Sequence, residues 1–542
     1  MSRSLRTLAG TTALALGLVL LPPLTPAHAS NTWDAIGLPI TGSTGSESGT
    51  SVAMSSDGSI VAVGSPEALL GSPGRVKIYQ LVSGTWTQLG ADIVGASNGD
   101  YTGWSVALSD DGLTVAVGSP YADPSAVNQA GVVRVYRLAS GTWTQLGTDI
   151  AGTSLSGQLG YSVALSASGH RVAIGAPQAH SRGTVSVREY NAGTNSWGQV
   201  GSTLVAELSA DEFGTSVSLS DDGAWLAVGA PLNNAGGNAD AGHARVFELV
   251  STTWTQRGAD IDGEVAGDLS GQSLGLSANG QRIVIGSHSS DGAGPNAGRV
   301  RVFDYAGSAW SLVGGGLDGT ETGSEFGWAV DITSAGDQIM VGARKSDDPA
   351  SHAGSVTAFT LVSGTWTQRG QAITGTAASE QAGYALAMSS TGDRIVIGSP
   401  GRALPSANTG EVRIFGFTAT TLSTADANPG QPGIYLHIAG PVGRSTLDSP
   451  IYVGSDRVMP GSPYTLSINP DQGRAFTLAT GTTDARGNAA MRVTLPALAP
   501  GSYVISFTGR HASGTGLKLT STISVGAVGQ YITIGANAHG IW

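Results

Sequence analysis

The sequence predicts an all-β protein, a seven-bladed β-propeller closed by an N-terminal strand and followed by a small β-sandwich. Three observations lead there. Seven tryptophans recur at 33, 86, 143, 197, 254, 310 and 366, spaced by 53 to 57 residues, and self-similarity at a fixed period of this size marks a repeat architecture. Between them, short segments alternate small and branched residues with period two, and no segment keeps a helical period. Beyond Phe417 the period stops, and shorter alternating runs split by Pro-Gly and Asn/Asp/Gly turns take over.

Each repeat supplies the same elements in order. The first strand reads Ser51-Val-Ala-Met-Ser, Ser105-Val-Ala-Leu-Ser, Ser162-Val-Ala-Leu-Ser, Ser216-Val-Ser-Leu-Ser, Ser273-Leu-Gly-Leu-Ser, Ala329-Val-Asp-Ile-Thr or Ala385-Leu-Ala-Met-Ser. A glycine turn follows at 58, 112, 169, 223, 280, 336 and 392, often as Asp-Gly or Asn-Gly, the strongest short hairpin signal. A second, apolar strand then ends in glycine, as in Val61-Ala-Val-Gly64. A loop of variable length leads to a third strand such as Gly74-Arg-Val-Lys-Ile-Tyr79, and the tryptophan strand completes four. Such a meander cannot bury both faces alone, so the copies must pack face to face about an axis.

Seven copies of the first three strands begin at 49, 103, 160, 214, 271, 327 and 383. The seventh lacks a tryptophan strand of its own, while a spare one, Trp33 to Ile40, precedes the first. The N-terminal strand is therefore expected to complete blade seven, and closure would remove the open sheet edges that invite aggregation.

At 542 residues the chain calls for more than one domain. Its 81 glycines, 12% charged residues and 6% aromatics suit many tight turns between short strands. A net charge of −12 argues against nucleic-acid or anionic-membrane partners, which require a basic surface. Arg3 and Arg6, the apolar stretch Leu8 to Leu21 and Ala27-His28-Ala29 read as a secretory signal. Its removal takes two Arg and no acid, turning −12 into −14. The expected layout is a signal peptide at 1–29, the propeller at 30–417, a linker at 418–433 and an immunoglobulin-like sandwich with its tail at 434–542. Leu498-Ala-Pro-Gly-Ser-Tyr503 supplies a tyrosine-corner pattern for that sandwich. The absence of cysteine excludes disulfides, thiolate metal sites and cysteine nucleophiles. Gly535 to Trp542 holds no apolar span, basic tail or sorting motif, so a secreted protein, released or held non-covalently without membrane insertion, is expected.

Two segments carry a family resemblance. Phe213-Gly-Thr-Ser-Val-Ser-Leu-Ser with Val228-Gly-Ala-Pro231, and Gly160-Tyr-Ser-Val-Ala-Leu-Ser with Ile174-Gly-Ala-Pro177, resemble the FG-GAP repeats of integrin α-chain propellers and of many secreted bacterial proteins. The resemblance spans residues 33 to 417 and implies a propeller. Many members of that family hold calcium in an Asp-rich loop between the first two strands. Here that loop has shrunk to Ser-Asp-Asp-Gly or less, too tight for the six to eight oxygens calcium takes. The same hairpin lacks one residue of a sialidase Asp-box. No metal and no cofactor is expected.

Candidate site residues lie where the repeat breaks. Blades one to four and seven end their second strand in Ser-Pro or Ala-Pro, whereas blades five and six carry His288 and Arg344 there, followed by Ser289-Ser-Asp291 and Lys345-Ser-Asp-Asp348. Loops on a rigid scaffold are where sites tend to lie, so His288, Asp291, Arg344 and Lys345 are the expected ligand-binding group. Asp331 joins them because it replaces a small residue in the first strand of blade six; it is expected to line the axial channel as a hydrated carboxylate. Hairpin pairing sets Asp331 opposite Met340 and Arg344 opposite Gly327, four residues or about 13 Å apart, too far for a direct pair. Acids before the first strand, at Glu47, Asp100, Asp211, Asp268, Glu325 and Glu380, suggest repeated bonds to local amides or a negative rim. The nine histidines show no metal-ligand spacing, and no Gly-x-Ser-x-Gly elbow stands at a strand-to-helix turn. The expected function is a non-catalytic binding or adhesion protein that presents a propeller face to a glycan or protein ligand. An exported hydrolase or lyase, or a passive envelope component, are the alternatives.

Overall fold

A computed structural model describes residues 32–67, 71–403 and 408–418, together with the strands lying between 433 and 541. The signal segment 1–29 lies outside the described residues, as does the expected linker apart from its two end residues. The chain divides into two units, Asn31–Ala419 in one and Thr420–Trp542 with the first thirty residues in the other.

The first unit is a seven-bladed propeller of antiparallel sheets. Blade one runs Ser51–Met54, Ile60–Ser65, Arg75–Val82 and Thr85–Gln88 from axis to rim, with Ile93–Val94 added against the start of the third strand. In blade seven, Ala385–Met388, Arg394–Ser399 and Glu411–Thr418 are followed at the rim by Thr32–Ala35, which pairs Trp33 with Phe417. The outer strand, expected to be continuous, is broken in six blades. The break falls four residues after each tryptophan, at a glycine such as Gly90 (φ +76°), over which the next blade's indole, Trp143, rests. A left-handed backbone there favours glycine.

That contact accounts for the tryptophan period. Each indole N–H donates to the carbonyl three residues beyond the preceding tryptophan: Trp86 to Ile36, Trp143 to Leu89, Trp197 to Leu146, Trp254 to Val200, Trp310 to Arg257 and Trp366 to Val313, all at 2.7–3.0 Å. Trp33 donates to Arg369, also at 3.0 Å, so the series runs once around the rim. An indole taken out of water needs an acceptor for its one donor, and the neighbouring blade supplies it.

A second ring lies at the hairpins near the axis. The backbone N–H of Ser56 donates to Asp110, Asp110 to Ala167, Ala167 to Asp221, Asp221 to Ala278, Ala278 to Ser334, Ser334 to Ser390, and Ser390 back to Ser56, at 2.9–3.1 Å. Between blades, apolar faces interlock; Val61 and Val63 of blade one pack against Val396, Val412 and Ile414 of blade seven. Close approach demands glycine at the end of each second strand. A Cβ on Gly229 would stand 2.0 Å from the carbonyl oxygen of Gly271 in the next blade.

One register differs from the sequence expectation. Asp331 does face Met340, but a bulge between Phe326 and Ala329 sets Phe326 opposite Ala343. The extra residues in the first strand of blade six bring Arg344 beside Glu325 rather than Gly327.

The second unit contains a three-stranded antiparallel sheet, Gly433–Leu436, Leu447–Gly454 and Ala489–Leu495. A larger antiparallel sheet orders Phe476–Thr482, Pro463–Pro470, Gly501–Arg510 and Gly516–Val525, with Thr533–Ile534 and Ala538–Ile541 on its last strand. Leu498–Pro500 of the tyrosine-corner pattern lie outside the described residues, as does the Tyr503 side chain.

Candidate functional site at the channel mouth

The start of each innermost strand and the loop after each second strand share one face of the propeller, since Ser51 pairs with Gly64 and its equivalents do likewise. Every blade builds the same turn at that face. Glu47, Tyr101, Gln158, Glu212, Leu269, Glu325 and Gln381 all hold φ between +52° and +58°. The carbonyl of each accepts the backbone N–H three residues on, from Thr50, Trp104, Tyr161, Thr215, Gln272, Trp328 and Tyr384. A non-glycine residue in the left-handed region is strained, and such strain concentrates at functional sites. Seven identical turns thus display fourteen side chains whose chemistry differs from blade to blade.

Aromatic side chains dominate two stretches of this mouth. On blades two and three, Trp104 meets Tyr121 at 6.0 Å and Tyr161 at 5.5 Å between ring centres, and Tyr101 meets Tyr121 at 4.8 Å. All four remain partly exposed, and among the described residues no cation covers them. A cleft of about 440 Å³ lined by Asp100, Tyr121, Arg134 and Asp149 adjoins them. On blades six and seven, Trp328 meets Tyr384 at 5.6 Å. Burial first, and then the charges of Tyr384, Glu212 and Tyr121, raise the Tyr161 phenol.

The sequence-predicted residues divide between this mouth and other places. Arg344 lies flat on Trp328, its guanidinium carbon 3.2 Å from the ring centre, and its Nε donates to Glu325 Oε2 at 2.5 Å. Lys345 Nζ reaches Glu325 Oε1 at 2.7 Å. Burial pushes the Glu325 carboxyl up, but the hydrogen bonds from Arg344 and Lys345 outweigh it and hold the group below its ordinary value. His288 stands edge-on to Trp328 at 4.9 Å. Burial lowers its pKa to about 4, leaving a neutral ring whose Nδ1 has no partner among the described residues. His288 and Arg344 therefore meet at Trp328, and Lys345 joins them through Glu325. Asp291 does not join them; its carboxylate accepts the N–H of Asn296 within its own loop.

Asp331 lies three residues further along the innermost strand and belongs to the wall. Its oxygens accept the N–H of Ile332 at 2.8 Å and of Met388 in blade seven at 2.7 Å. Protein crowds it from every side although a sliver of surface remains, and burial raises its pKa to about 6 against those two bonds. The expected hydrated carboxylate is instead an interblade tie. Blades one to five make a comparable tie through serine, as Ser216 Oγ does to Gly271 O at 2.7 Å, and Ala329 removes it in blade six.

The acids before the first strand are not one ring. Asp100, Asp211, Asp268 and Glu380 turn back to accept loop amides, such as Ser97, Leu208, Val265 and Ala377. Glu47 and Glu325 stand one residue later, in the left-handed position of the turn. The aromatics leave one signal in the sequence: the residue after each pre-strand glycine is aromatic in four of seven repeats. A trio of metal-ligand types, His243, Asp260 and Asp262, also comes together. Arg245 already bonds Asp260 at 3.0 Å and supplies the positive charge there.

Fold and repeat define the class, a seven-bladed β-propeller that carries an FG-GAP repeat. The FG-GAP repeat family matches residues 204–247, the stretch that holds Phe213-Gly214 and Gly229-Ala-Pro231. No curated protein sequence matches the chain. Among solved structures, the periplasmic gluconolactonase PpgL of Pseudomonas aeruginosa is 16% identical, with 78% of this chain and 96% of that chain covered and a TM-score of 0.43. The GH74 enzyme of Niastella koreensis is 11% identical, with 93% and 91% covered and a TM-score of 0.34. Likeness at that level transfers no chemistry.

Proposed function

We propose that this is a secreted binding protein whose channel mouth holds a glycan, on a propeller ring closed by the Trp33 strand. The C-terminal unit, read as an immunoglobulin-like sandwich, serves as its spacer at a cell surface or in a matrix. The observation that carries the reading is the Tyr101–Trp104–Tyr121–Tyr161 group, four partly exposed rings in mutual contact at the mouth. Flat apolar rings with polar tips suit the C–H faces and hydroxyls of sugars, and they cost little entropy to order.

Acid–base catalysis has less support. Both Glu325 oxygens are engaged by cations, His288 is neutral with a buried nitrogen, and Asp331 is occupied by two backbone amides.

The test is binding of the full chain to an array of neutral and acidic oligosaccharides, repeated with Trp104→Ala and Tyr161→Ala. Retention of at least one oligosaccharide, weakened about tenfold or more by either change, is the expected result. Binding indifferent to both changes, or no binding at all, would overturn the reading.

A further inference from the structure

Arg344 is built as a fork with one side left over. Its face is spent on Trp328 at 3.2 Å, with Tyr384 next at 5.6 Å. Its Nε is spent on Glu325. The two terminal nitrogens have no hydrogen-bond partner among the described residues, although the side chain retains only 17% of its surface. A stacked, ion-paired guanidinium has given up its rotamer freedom in advance, so its terminal N–H groups are fixed at the mouth before any ligand arrives.

The local charge points the same way. Arg344 and Lys345 contribute two positive charges, Glu325 returns one negative, and His288 adds none at neutral pH. The group is thus cationic by one on a chain whose net charge is −12. Planar two-point N–H donation matches the two oxygens of a carboxylate. Tyr384 and Trp328 offer a ring surface beside it, and the uncovered aromatics of blades two and three belong to the same propeller face.

We infer that the blade-six side of the mouth takes the carboxylate of an acidic sugar unit, with Arg344 as the fork and Lys345 as the second cation. The inference rests on the glycan reading above and narrows it to uronic-acid-containing chains. The neutral remainder of such a chain falls to the Trp104 and Tyr161 side.

The deciding experiment is calorimetric titration of the full chain with oligogalacturonate and with the same oligosaccharide after its carboxyl groups have been reduced to alcohols. Arg344→Lys and Lys345→Ala are titrated in parallel, and thermal melts show whether each variant is folded. The expected result is an affinity about tenfold higher for the acidic chain, a gap that Arg344→Lys and Lys345→Ala each narrow, because lysine keeps the charge but not the fork. Equal affinity for the two oligosaccharides, or a preference unmoved in both folded variants, overturns the inference and leaves the aromatic reading standing. Failure to bind either one also overturns the inference, while the glycan reading stands or falls separately on the oligosaccharide array.

Discussion

Asp331 of blade six accepts the backbone N–H of Met388 of blade seven at 2.7 Å, an interblade tie in a blade whose first strand lacks the serine that ties each of the first five blades to the next. The tie has an electrostatic cost. Burial raises the carboxyl from 3.8 to about 6 in the folded protein, so the unfolded chain releases this proton first as pH rises. Stability from this group falls between pH 4 and pH 7, by up to about 3 kcal/mol at about 1.4 kcal/mol per unit. Asp331→Ala restores the residue found at Ala53, Ala107, Ala164 and Ala387. The melting temperature of the variant minus that of the native chain should climb with pH across this window; a flat difference would contradict the buried carboxylate.

His288 works in the opposite direction. Its folded pKa of about 4 lies below the ordinary 6.5, so its contribution is complete above pH 6.5 and lost as pH falls toward 4, again by up to about 3 kcal/mol. The two groups offset one another in the native chain. His288→Gln should therefore flatten the acid side of the stability curve. Chemical denaturation at pH 4.5 and 7.0 measures it, and an unchanged acid-side slope would count against a buried neutral imidazole.

Trp33 joins the first strand to the last blade through its indole bond to Arg369, its contact with Phe417 at 5.0 Å and near-complete burial. Trp33→Phe should cost about 1 kcal/mol for the lost hydrogen bond, and Trp33→Ala about 3–5 kcal/mol. Deleting residues 31–41 should also bare the Glu411–Thr418 edge and promote self-association, which light scattering detects. A monomeric deletion variant with the native melting temperature would rule out that role.

Gly229→Ala tests the closeness of the blades. Its Cβ would meet the Gly271 oxygen at 2.0 Å, a backbone atom that cannot swing aside. A loss of about 1–3 kcal/mol is expected from denaturant titration. A variant of native stability would mean that the blades are further apart than described.

Seven blades were legible in the sequence because each blade solves the same packing problem locally. The alternation of Ser51-Val-Ala-Met, the Asp57-Gly58 turn and the Trp86 strand follow from period-two burial and turn sterics, which act over a few residues. The same local logic found His288 and Arg344, since a missing Pro stands out against the five copies that keep it. It failed at Arg344's partner, because a single bulge between Phe326 and Ala329 moves the register and a hairpin count does not see bulges.

The sequence by itself determined the repeat, its number and the residues that depart from it, because those are properties of neighbours along the chain. Only the tertiary structure decided that Trp104 and Tyr161 share a mouth with Trp328 and Tyr384, that Arg344 lies on Trp328, and that Asp331 is a tie to the next blade rather than a free carboxylate. Apart from the Arg344–Trp328 stack within blade six, those contacts join residues of neighbouring blades more than 50 positions apart. Their geometry is set by how closely seven sheets pack, a distance that no single repeat encodes.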